Sequence, residues 1–178
     1  GISPKVITVG AMDDKDTVSR VDDQIAAFSS RGPTVDGLVK PDVLSPGVNI
    51  ISLRSPNSFL DKQNKTARVD NDYFNLSGTS MATPFVSGAI ALLYDKNREA
   101  LSPDRVKRIV QTTAIPIRGE SRAAQGFGVA NIINMLDIKE KNMEYRQKPI
   151  PANNSSYRSN LPFPSDDMNL LFLIFLLL

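Results

Sequence analysis

The 178-residue sequence contains no cysteine and no histidine. The lack of cysteine excludes disulfides, thiolate nucleophiles and zinc–thiolate sites. The lack of histidine removes both a common ligand of catalytic zinc and the imidazole that most often acts as a general base. Positive and negative side chains nearly balance, at a net charge of +2. This small charge favours neither nucleic acid nor an acidic membrane surface as a partner.

Long hydrophobic segments are also missing. The apolar run of residues 170–178 is nine residues long, whereas a membrane-spanning helix needs about 20. We therefore expect no membrane anchor. Residues 142–167 are rich in proline, asparagine and serine, which is typical of disordered segments. The sequence thus predicts one domain over residues 1–138, followed by a disordered tail with a short apolar terminus over residues 139–178.

The first residues have no signal-peptide pattern and do not begin with methionine. We therefore expect the chain to be a piece of a longer protein. The absence of cysteine suits the reducing cytosol, so a cytoplasmic location is expected. Secretion stays open as the alternative, because many secreted bacterial-type proteins also lack cysteine.

Short β-branched apolar runs predict three strands, at residues 6–11, 25–29 and 48–53. The polar residues 55–73 predict a long exposed loop. The charged residues 13–23 predict a solvated surface segment.

Apolar residues recur at helical spacing through residues 81–94, which predicts a helix buried on most of its sides. A second helix is expected to begin at Ser102-Pro103-Asp104, because these are a preferred N-cap, a first-turn proline and an acid at the positive helix end. A short helix is predicted over residues 129–136.

Gly78, Thr79 and Ser80 lie where the first of these helices is expected to begin. The first turn of a helix has unsatisfied backbone N–H groups and a partial positive charge. A serine there presents its hydroxyl beside donors that can stabilise an oxyanion. Pro84 is expected in the first turn, where its missing N–H has no cost. The alternative interpretation is that Ser77-Gly78-Thr79-Ser80 is merely a helix N-cap.

Three motifs favour the catalytic interpretation. The chain contains G-T-S-M-A-T-P at residues 78–84, F-S-S-R-G-P at residues 28–33 and K-P-D-V-L-S-P-G at residues 40–47. Together, and in this order, they closely resemble the nucleophile region of the subtilase family of serine peptidases. The resemblance covers about residues 1–136, and it is similar in detail to the intracellular-type subtilases of bacilli.

The resemblance implies a role for each residue of the nucleophile motif. Ser80 would be the nucleophile, and its own backbone N–H would be one oxyanion donor. Gly78 and Thr79 would lie next to that oxyanion site. Met81 would be an oxidation-sensitive neighbour of the nucleophile. The implied fold is of the α/β class: a subtilisin-like, mainly parallel sheet with helices on both faces, here incomplete.

The family places its catalytic aspartate and histidine before the serine in the chain, as in subtilisin. No segment of the type D-[ST]-G or H-G-T occurs in this sequence. We therefore expect the C-terminal part of a catalytic domain, whose partner is the missing N-terminal half. A serine hydroxyl without an adjacent base is a weak nucleophile, so the chain alone is predicted to be inactive.

The remaining expectations concern ligands and partners. No cofactor and no metal are expected; calcium occurs in the family, but Asp36, in the matching loop, is better interpreted as a solvated carboxylate. A polypeptide is the expected substrate, with no nucleic acid and no membrane partner. The alternative function is a catalytically dead remnant that binds peptides by strand addition.

Overall fold

The computed structural model describes residues 1–97 and 101–138. The predicted tail over residues 139–178 lies outside the described residues. The elements, in chain order, are β1 (Val9–Asp13), β2 (Gln24–Ile25), β3 (Val43–Pro46), β4 (Ile50–Leu53), α1 (Phe59–Gln63), a 3₁₀ turn (Lys65–Ala67), β5 (Tyr73–Leu76), α2 (Thr79–Lys96), α3 (Pro103–Thr113), α4 (Arg122–Gln125) and α5 (Ile132–Leu136). None of the helices in these described ranges is long and apolar enough to cross a membrane.

Two small sheets form the β part of the fold. The first has the order β2-β1-β3, with β1 parallel to β3 and antiparallel to β2. The second is the antiparallel pair β4–β5, which pairs Ile50 with Leu76 and Leu53 with Tyr73. The predicted α/β class is confirmed. Within the described residues the sheet that carries β1 is mixed, because one of its two strand pairs is parallel.

The strands begin and end differently from the predicted runs. The first was expected over residues 6–11 but begins at Val9, because the Val6 carbonyl accepts hydrogen bonds from the ammonium groups of Lys40 (3.0 Å) and Lys107 (2.7 Å). The second was expected over residues 25–29 but is only two residues long. Further along, the Ser29 hydroxyl accepts the Ala11 N–H at 3.0 Å, so a side chain continues the pairing.

Period-two alternation along β1 and β3 divides the core into two clusters, one on each face of the sheet. One face packs mainly against α2, α3 and α5, and its buried side chains include Val9, Ala11, Val43, Ala82, Val86, Ala89, Val106, Ile109, Val110 and Met135. The other face packs against α4 and the segment after it, through Met12, Ile25, Leu44, Ala124 and Val129. Helices therefore cover both faces, as the resemblance implied.

Helix α2 extends the predicted 81–94 helix by two residues at each end. The expectation that it is buried on most sides is wrong, because Phe85 and Leu92 are 42% and 52% exposed. A Cβ at Gly88 would meet nothing within 4 Å. This helix therefore has an uncovered apolar face, defined here by Phe85, Gly88 and Leu92. Pro84 is the sixth helical residue, not part of the first turn, so the Ser80 carbonyl lacks its usual partner four residues on.

The predicted exposed loop over residues 55–73 is also partly wrong, since it contains α1 and the 3₁₀ turn. Asp61, in α1, is only 2% exposed. Its carboxylate accepts hydrogen bonds from Arg54 (2.6 and 3.1 Å) and Arg68 (2.7 Å), and the Asn57 N–H adds another at 2.9 Å. The polar residues that indicated solvent exposure satisfy one another's hydrogen bonds around the buried Asp61 carboxylate.

Other expectations have mixed outcomes. The predicted start of α3 is confirmed: Ser102 caps it by accepting the Arg105 N–H, and Pro103 is its first residue. The short helix predicted over residues 129–136 is confined to α5, because Val129 pairs with Leu44 and Ile115 instead.

The solvated-surface prediction for residues 13–23 fails at its last residue. Asp23 is 6% exposed, because it packs at the start of β2, where the chain re-enters the sheet.

Candidate active site

Ser80 is the second residue of α2, and Gly78 is the N-cap. No side chain caps this helix. The Ser77 hydroxyl, which could have done so, instead accepts the Asn49 N–H at 2.9 Å. Among the described residues, the N–H groups of Thr79 and Ser80 find no acceptor. The segment thus supplies the N-cap residue of α2 but no side-chain cap, and it leaves free donors at the positive end of an 18-residue helix.

The contrast with the other helices sharpens this point. Helices α1, α3 and α5 each begin with a side-chain cap, from Ser58, Ser102 and Asn131, whereas the four-residue helix α4, like α2, has none. Helix α2 is the longest helix among the described residues, and its start has no side-chain cap. An uncapped N-terminus retains its capacity to bind an anion or a developing oxyanion.

The backbone before Ser80 is held against the end of β3. Gly78 donates its N–H to the Gly47 carbonyl at 2.7 Å, and Gly47 donates to the Met12 carbonyl at 3.0 Å. A Cβ at Gly47 would lie 2.7 Å from the Ala11 Cβ and 2.9 Å from the Gly78 carbonyl oxygen. Because only glycine allows this approach, the end of the 40–47 motif positions the 78–84 motif.

The side chains of the nucleophile motif differ in exposure. Ser80 is exposed, whereas Thr79 and Met81 are half-buried. The Ser80 hydroxyl makes no hydrogen bond to any residue that the structure describes. Met81 packs over Gly78, and its sulfur would lie 3.3 Å from a Cβ placed there. The Thr83 hydroxyl donates to the Thr79 carbonyl at 2.8 Å, which stabilises the first turn.

This arrangement has a hydroxyl and oxyanion donors but no imidazole base. The sequence contains no histidine at all, so Ser80 has no partner of the usual triad type within these 178 residues. What the described residues offer chemically is an exposed hydroxyl beside free backbone N–H donors, without an imidazole base.

A second group of residues surrounds Asp42, directly before β3. Asp42 is 4% exposed and accepts hydrogen bonds from the Thr8 N–H (2.7 Å), Lys40 (2.6 Å) and Gln111 (2.9 Å). Lys107 lies 3.1 Å from Asp42 Oδ1, the oxygen that also accepts from Gln111. Burial lowers the pKa of the Lys107 amine, although the Asp42 charge opposes this shift. The carboxylate therefore joins β1, β3 and α3.

Sequence reasoning missed the roles of Asp42 and Gly47, which it treated only as parts of a family motif. Two opposite charges, Lys40 and Asp42, directly before a buried strand were the available signal, since charges are rarely buried without partners. Asp36 is exposed, as expected for a solvated carboxylate. Calcium binding stays untested; within residues 1–97 and 101–138, no group of three or more acidic, histidine or cysteine residues could hold a metal.

Comparisons with known proteins agree with this geometry. The profile of the Subtilase family (peptidase S8) matches residues 1–144. The serine protease AprX of Bacillus subtilis is 53% identical over 136 residues, which is 76% of this chain and 30% of AprX. The chain therefore spans less than a third of the length of this curated relative.

Solved structures give the same result. Fervidolysin from Fervidobacterium pennivorans, a keratinolytic enzyme related to subtilisin, aligns with a TM-score of 0.58 and 30% identity, over 76% of this chain and 19% of that one. The prenylagaramide maturation protease PagA aligns at 0.55 and 30%, over 76% and 42%. The matched motifs, the free N–H donors at Ser80 and these similarities all agree. The chain belongs to the subtilase family of serine proteases.

Proposed function

We propose that Ser80 is the nucleophile of a subtilisin-like serine endopeptidase, of which this chain is the nucleophile-bearing part. The observation that carries the proposal is the uncapped start of α2, where the Ser80 hydroxyl lies beside free N–H donors. The hydroxyl oxygen would attack a peptide carbonyl carbon, and the carbonyl oxygen would accept the Ser80 N–H as it becomes negative. The scissile C–N bond would then break, with the proton taken from Ser80 passing through the base to the leaving amine, which leaves an acyl-enzyme. Water would hydrolyse this ester to a free carboxylic acid and restore the Ser80 hydroxyl.

The proton of Ser80 needs a base that this sequence does not contain. We propose that the histidine and aspartate come from the N-terminal part of a subtilase catalytic domain. The chain's share of AprX, 30%, leaves room for such a part. In the related subtilisin, removal of the histidine alone lowers kcat by about 10⁶-fold. The 178 residues alone are therefore expected to show no useful protease activity.

The apolar face of α2 is where that N-terminal part would pack. Phe85, Gly88 and Leu92 lie at successive turns of one helix side and remain uncovered. An exposed apolar strip of this kind is unusual for a finished domain surface. Because Ser80 is on the same helix, a partner seated on this face would also be close to the nucleophile.

A complementation experiment tests the proposal. The chain would be mixed with the N-terminal part of the AprX catalytic domain, which is expected to carry the aspartate and histidine. Labelling of Ser80 by a fluorophosphonate and hydrolysis of a chromogenic peptide would be measured before and after mixing. We expect both to appear only in the mixture, to vanish with Ser80→Ala and to persist with the exposed control Ser55→Ala. Rapid labelling of the unmixed chain would refute the predicted inactivity.

A peptide-binding module without catalysis is the second candidate. Its support is the β4–β5 sheet, in which β4 pairs with β5 and with no other strand of the described ranges. Ile51 and Leu53 on β4 are 56% and 79% exposed, so an extended peptide could add along its free edge. Saturable peptide binding by the mixture and by Ser80→Ala, without labelling or hydrolysis in either, would favour this function.

The cytoplasmic location stays a prediction that rests on the absence of cysteine. Fractionation of cells that express the whole protein, followed by immunoblotting of the culture medium and the lysate, would test it. Recovery from the medium would favour secretion instead.

A further inference from the structure

One face of the β4–β5 sheet carries a row of apolar side chains. The strand register places Leu53 opposite Tyr73, and the Val69 N–H donates to the Tyr73 carbonyl at 3.1 Å. Residues directly opposite each other in antiparallel pairs have their side chains on the same face. Leu53, Tyr73 and Val69 therefore form one row across the sheet. Ile51, two positions before Leu53, extends this row on the same face.

The side chains of this row are exposed. Leu53 is 79% exposed, Ile51 56%, Val69 50% and Tyr73 44%. Phe74, which points to the opposite face, is only 7% exposed. The sheet therefore packs one of its faces against the rest of the fold and leaves the other, named here the β4–β5 face, in contact with solvent. Contiguous exposed apolar side chains of this kind mark an interaction surface.

The chain itself contains a segment of matching chemistry. Residues 170–178 are nine consecutive apolar residues without a charge. Such a run promotes aggregation when it is left in water, and packing against another apolar surface removes it from water. The four residues that define the β4–β5 face are likewise uncharged. The segment can therefore cover this face without burying an unpaired charge.

The length of the connection allows this contact within one chain. The described residues end at residue 138, and residues 139–169 separate them from the apolar segment. A connection of this length spans up to about 100 Å when fully extended, whereas the diameter of a small domain is about 30 Å. The segment can therefore reach any surface of the described fold, including the β4–β5 face.

We propose that residues 170–178 pack against the β4–β5 face of the same chain, with leucine and phenylalanine side chains on Leu53 and Tyr73. The uncovered apolar face of α2 stays free for the N-terminal part of the domain. The packed segment covers side chains beside the free edge of β4, so an extended peptide must displace it in order to add there. The contact does not depend on the role of Ser80.

The test uses the ¹⁵N-labelled 178-residue chain with a nitroxide attached to a thiol introduced by Ser165→Cys. The label is confined to this position, because the sequence has no cysteine of its own. Amide signals are compared before and after reduction of the nitroxide. We expect strong paramagnetic broadening at residues 51–53 and 69–75 and weaker broadening at residues 85–92. A mixture of untagged ¹⁵N-labelled chain with tagged unlabelled chain should show none.

Variants of the two surfaces sharpen the test. Leu53→Ser should lower the ratio of packed to unpacked segment by about tenfold, because burial of a leucine side chain contributes about that much. Phe85→Ser makes a similar change on α2 and should leave the broadening unaltered. Within the segment, Phe172→Asp should abolish the broadening at the β4–β5 face. Phe163→Asp, outside the apolar run, should preserve it.

Several results would overturn the proposal. Broadening at residues 85–92 that exceeds broadening at the β4–β5 face would place the segment on α2. Broadening only in the mixture of two chains would mean that the segment binds a second copy. Absence of broadening at the β4–β5 face, or equal broadening in Leu53→Ser and the unchanged chain, would exclude the contact. If Leu53→Ser does not fold, the comparison of Phe172→Asp with Phe163→Asp decides, since both positions lie outside the described residues.

Discussion

The N–H of Gly78 is bonded to the carbonyl of Gly47 at 2.7 Å, so the turn after β3 determines where the nucleophile helix begins. The two glycines belong to motifs that are 31 positions apart in the chain. Their contact explains why both motifs are needed for one site. The contact also makes the site sensitive to substitution of Gly47, although Gly47 carries no reactive group.

We predict that Gly47→Ala displaces the nucleophile loop. The new Cβ would lie 2.9 Å from the Gly78 carbonyl oxygen and 2.7 Å from the Ala11 Cβ, and neither backbone nor a buried Cβ can move cheaply. Overpacking of this kind costs about 1–3 kcal/mol. Urea unfolding should show that loss, and fluorophosphonate labelling of Ser80 in the complemented mixture should slow by about tenfold or more.

Gly88→Ala is the matched control for this change. A Cβ there meets nothing within 4 Å, and the residue is inside α2, where alanine is favoured over glycine by about 0.8–1.0 kcal/mol. The control should therefore raise the urea midpoint of the chain. Equal destabilisation by both variants would contradict the close-approach argument.

We predict that Asp42→Asn strongly destabilises the fold. Lys40 and Lys107 would keep their positive charges near a neutral amide, and the Lys40 and Asp42 side chains are only 8% and 5% exposed. Breaking a buried ion pair costs about 3–5 kcal/mol. Urea unfolding followed by circular dichroism measures this directly.

For comparison, Asp137→Asn removes a carboxylate that faces Lys96 at 3.6 Å across an exposed pair. Surface pairs contribute about 0–1 kcal/mol. A similar loss of stability in the two variants would mean that the Asp42 group is not the structural centre described above.

The pH dependence of stability should contain a contribution from Asp61. Hydrogen bonds from Arg54, aided by the Asn57 N–H and by Arg68, hold the pKa of Asp61 well below its usual range. Because the folded-state pKa is lowered, this contribution is fully present above about pH 4, near the unfolded pKa. It is lost as the pH falls further toward the folded-state pKa.

Urea midpoints measured from neutral pH down to strongly acidic pH would test this. Asp61→Asn should lower stability near neutral pH and flatten the decline in acid, relative to the unchanged chain. Parallel pH profiles for the two proteins would show that Asp61 does not contribute the expected linkage.

Met81 should be the methionine whose oxidation affects labelling of Ser80. It is half-buried and packs over Gly78 beside the nucleophile, whereas Met135 is fully buried. Sulfoxide formation would add a polar, larger group at this contact. After mild peroxide treatment, peptide mass spectrometry should find oxidation at Met81 and not at Met135, together with slower labelling in the complemented mixture. Met81→Leu should keep its labelling rate after the same treatment.

Local features were well predicted from the sequence. The start of α3 at Ser102 and Pro103 is correct because a cap and a first-turn proline act within one turn. The course of α2 is correct to within two residues at each end, since its apolar spacing is a short-range signal. Its burial was predicted wrongly, because periodicity shows which sides are apolar and not what covers them. Phe85 and Leu92 therefore remain exposed despite their apolar surroundings in the sequence.

Local sequence patterns did not predict the strand ends or the burial of the acidic side chains. Val6 and Ser29 fit β-strands by composition, yet the Val6 carbonyl accepts from the Lys40 side chain, and the Ser29 hydroxyl takes the Ala11 N–H in place of a backbone carbonyl. Asp23 and Asp61 lie in charged or polar segments that indicate solvent exposure. Their burial depends on arginines that fold back to meet them.

The sequence by itself determined the family and the candidate nucleophile, because the G-T-S-M-A-T-P motif is contiguous and needs no folding to be identified. Its lack of histidine likewise determined that the usual base is not among these 178 residues. Only the tertiary structure decided that Ser77 does not cap α2, that Gly47 anchors the loop and that Gln111 reaches Asp42. Hydrogen bonds and burial depend on distances between residues far apart in the chain, and folding sets those distances.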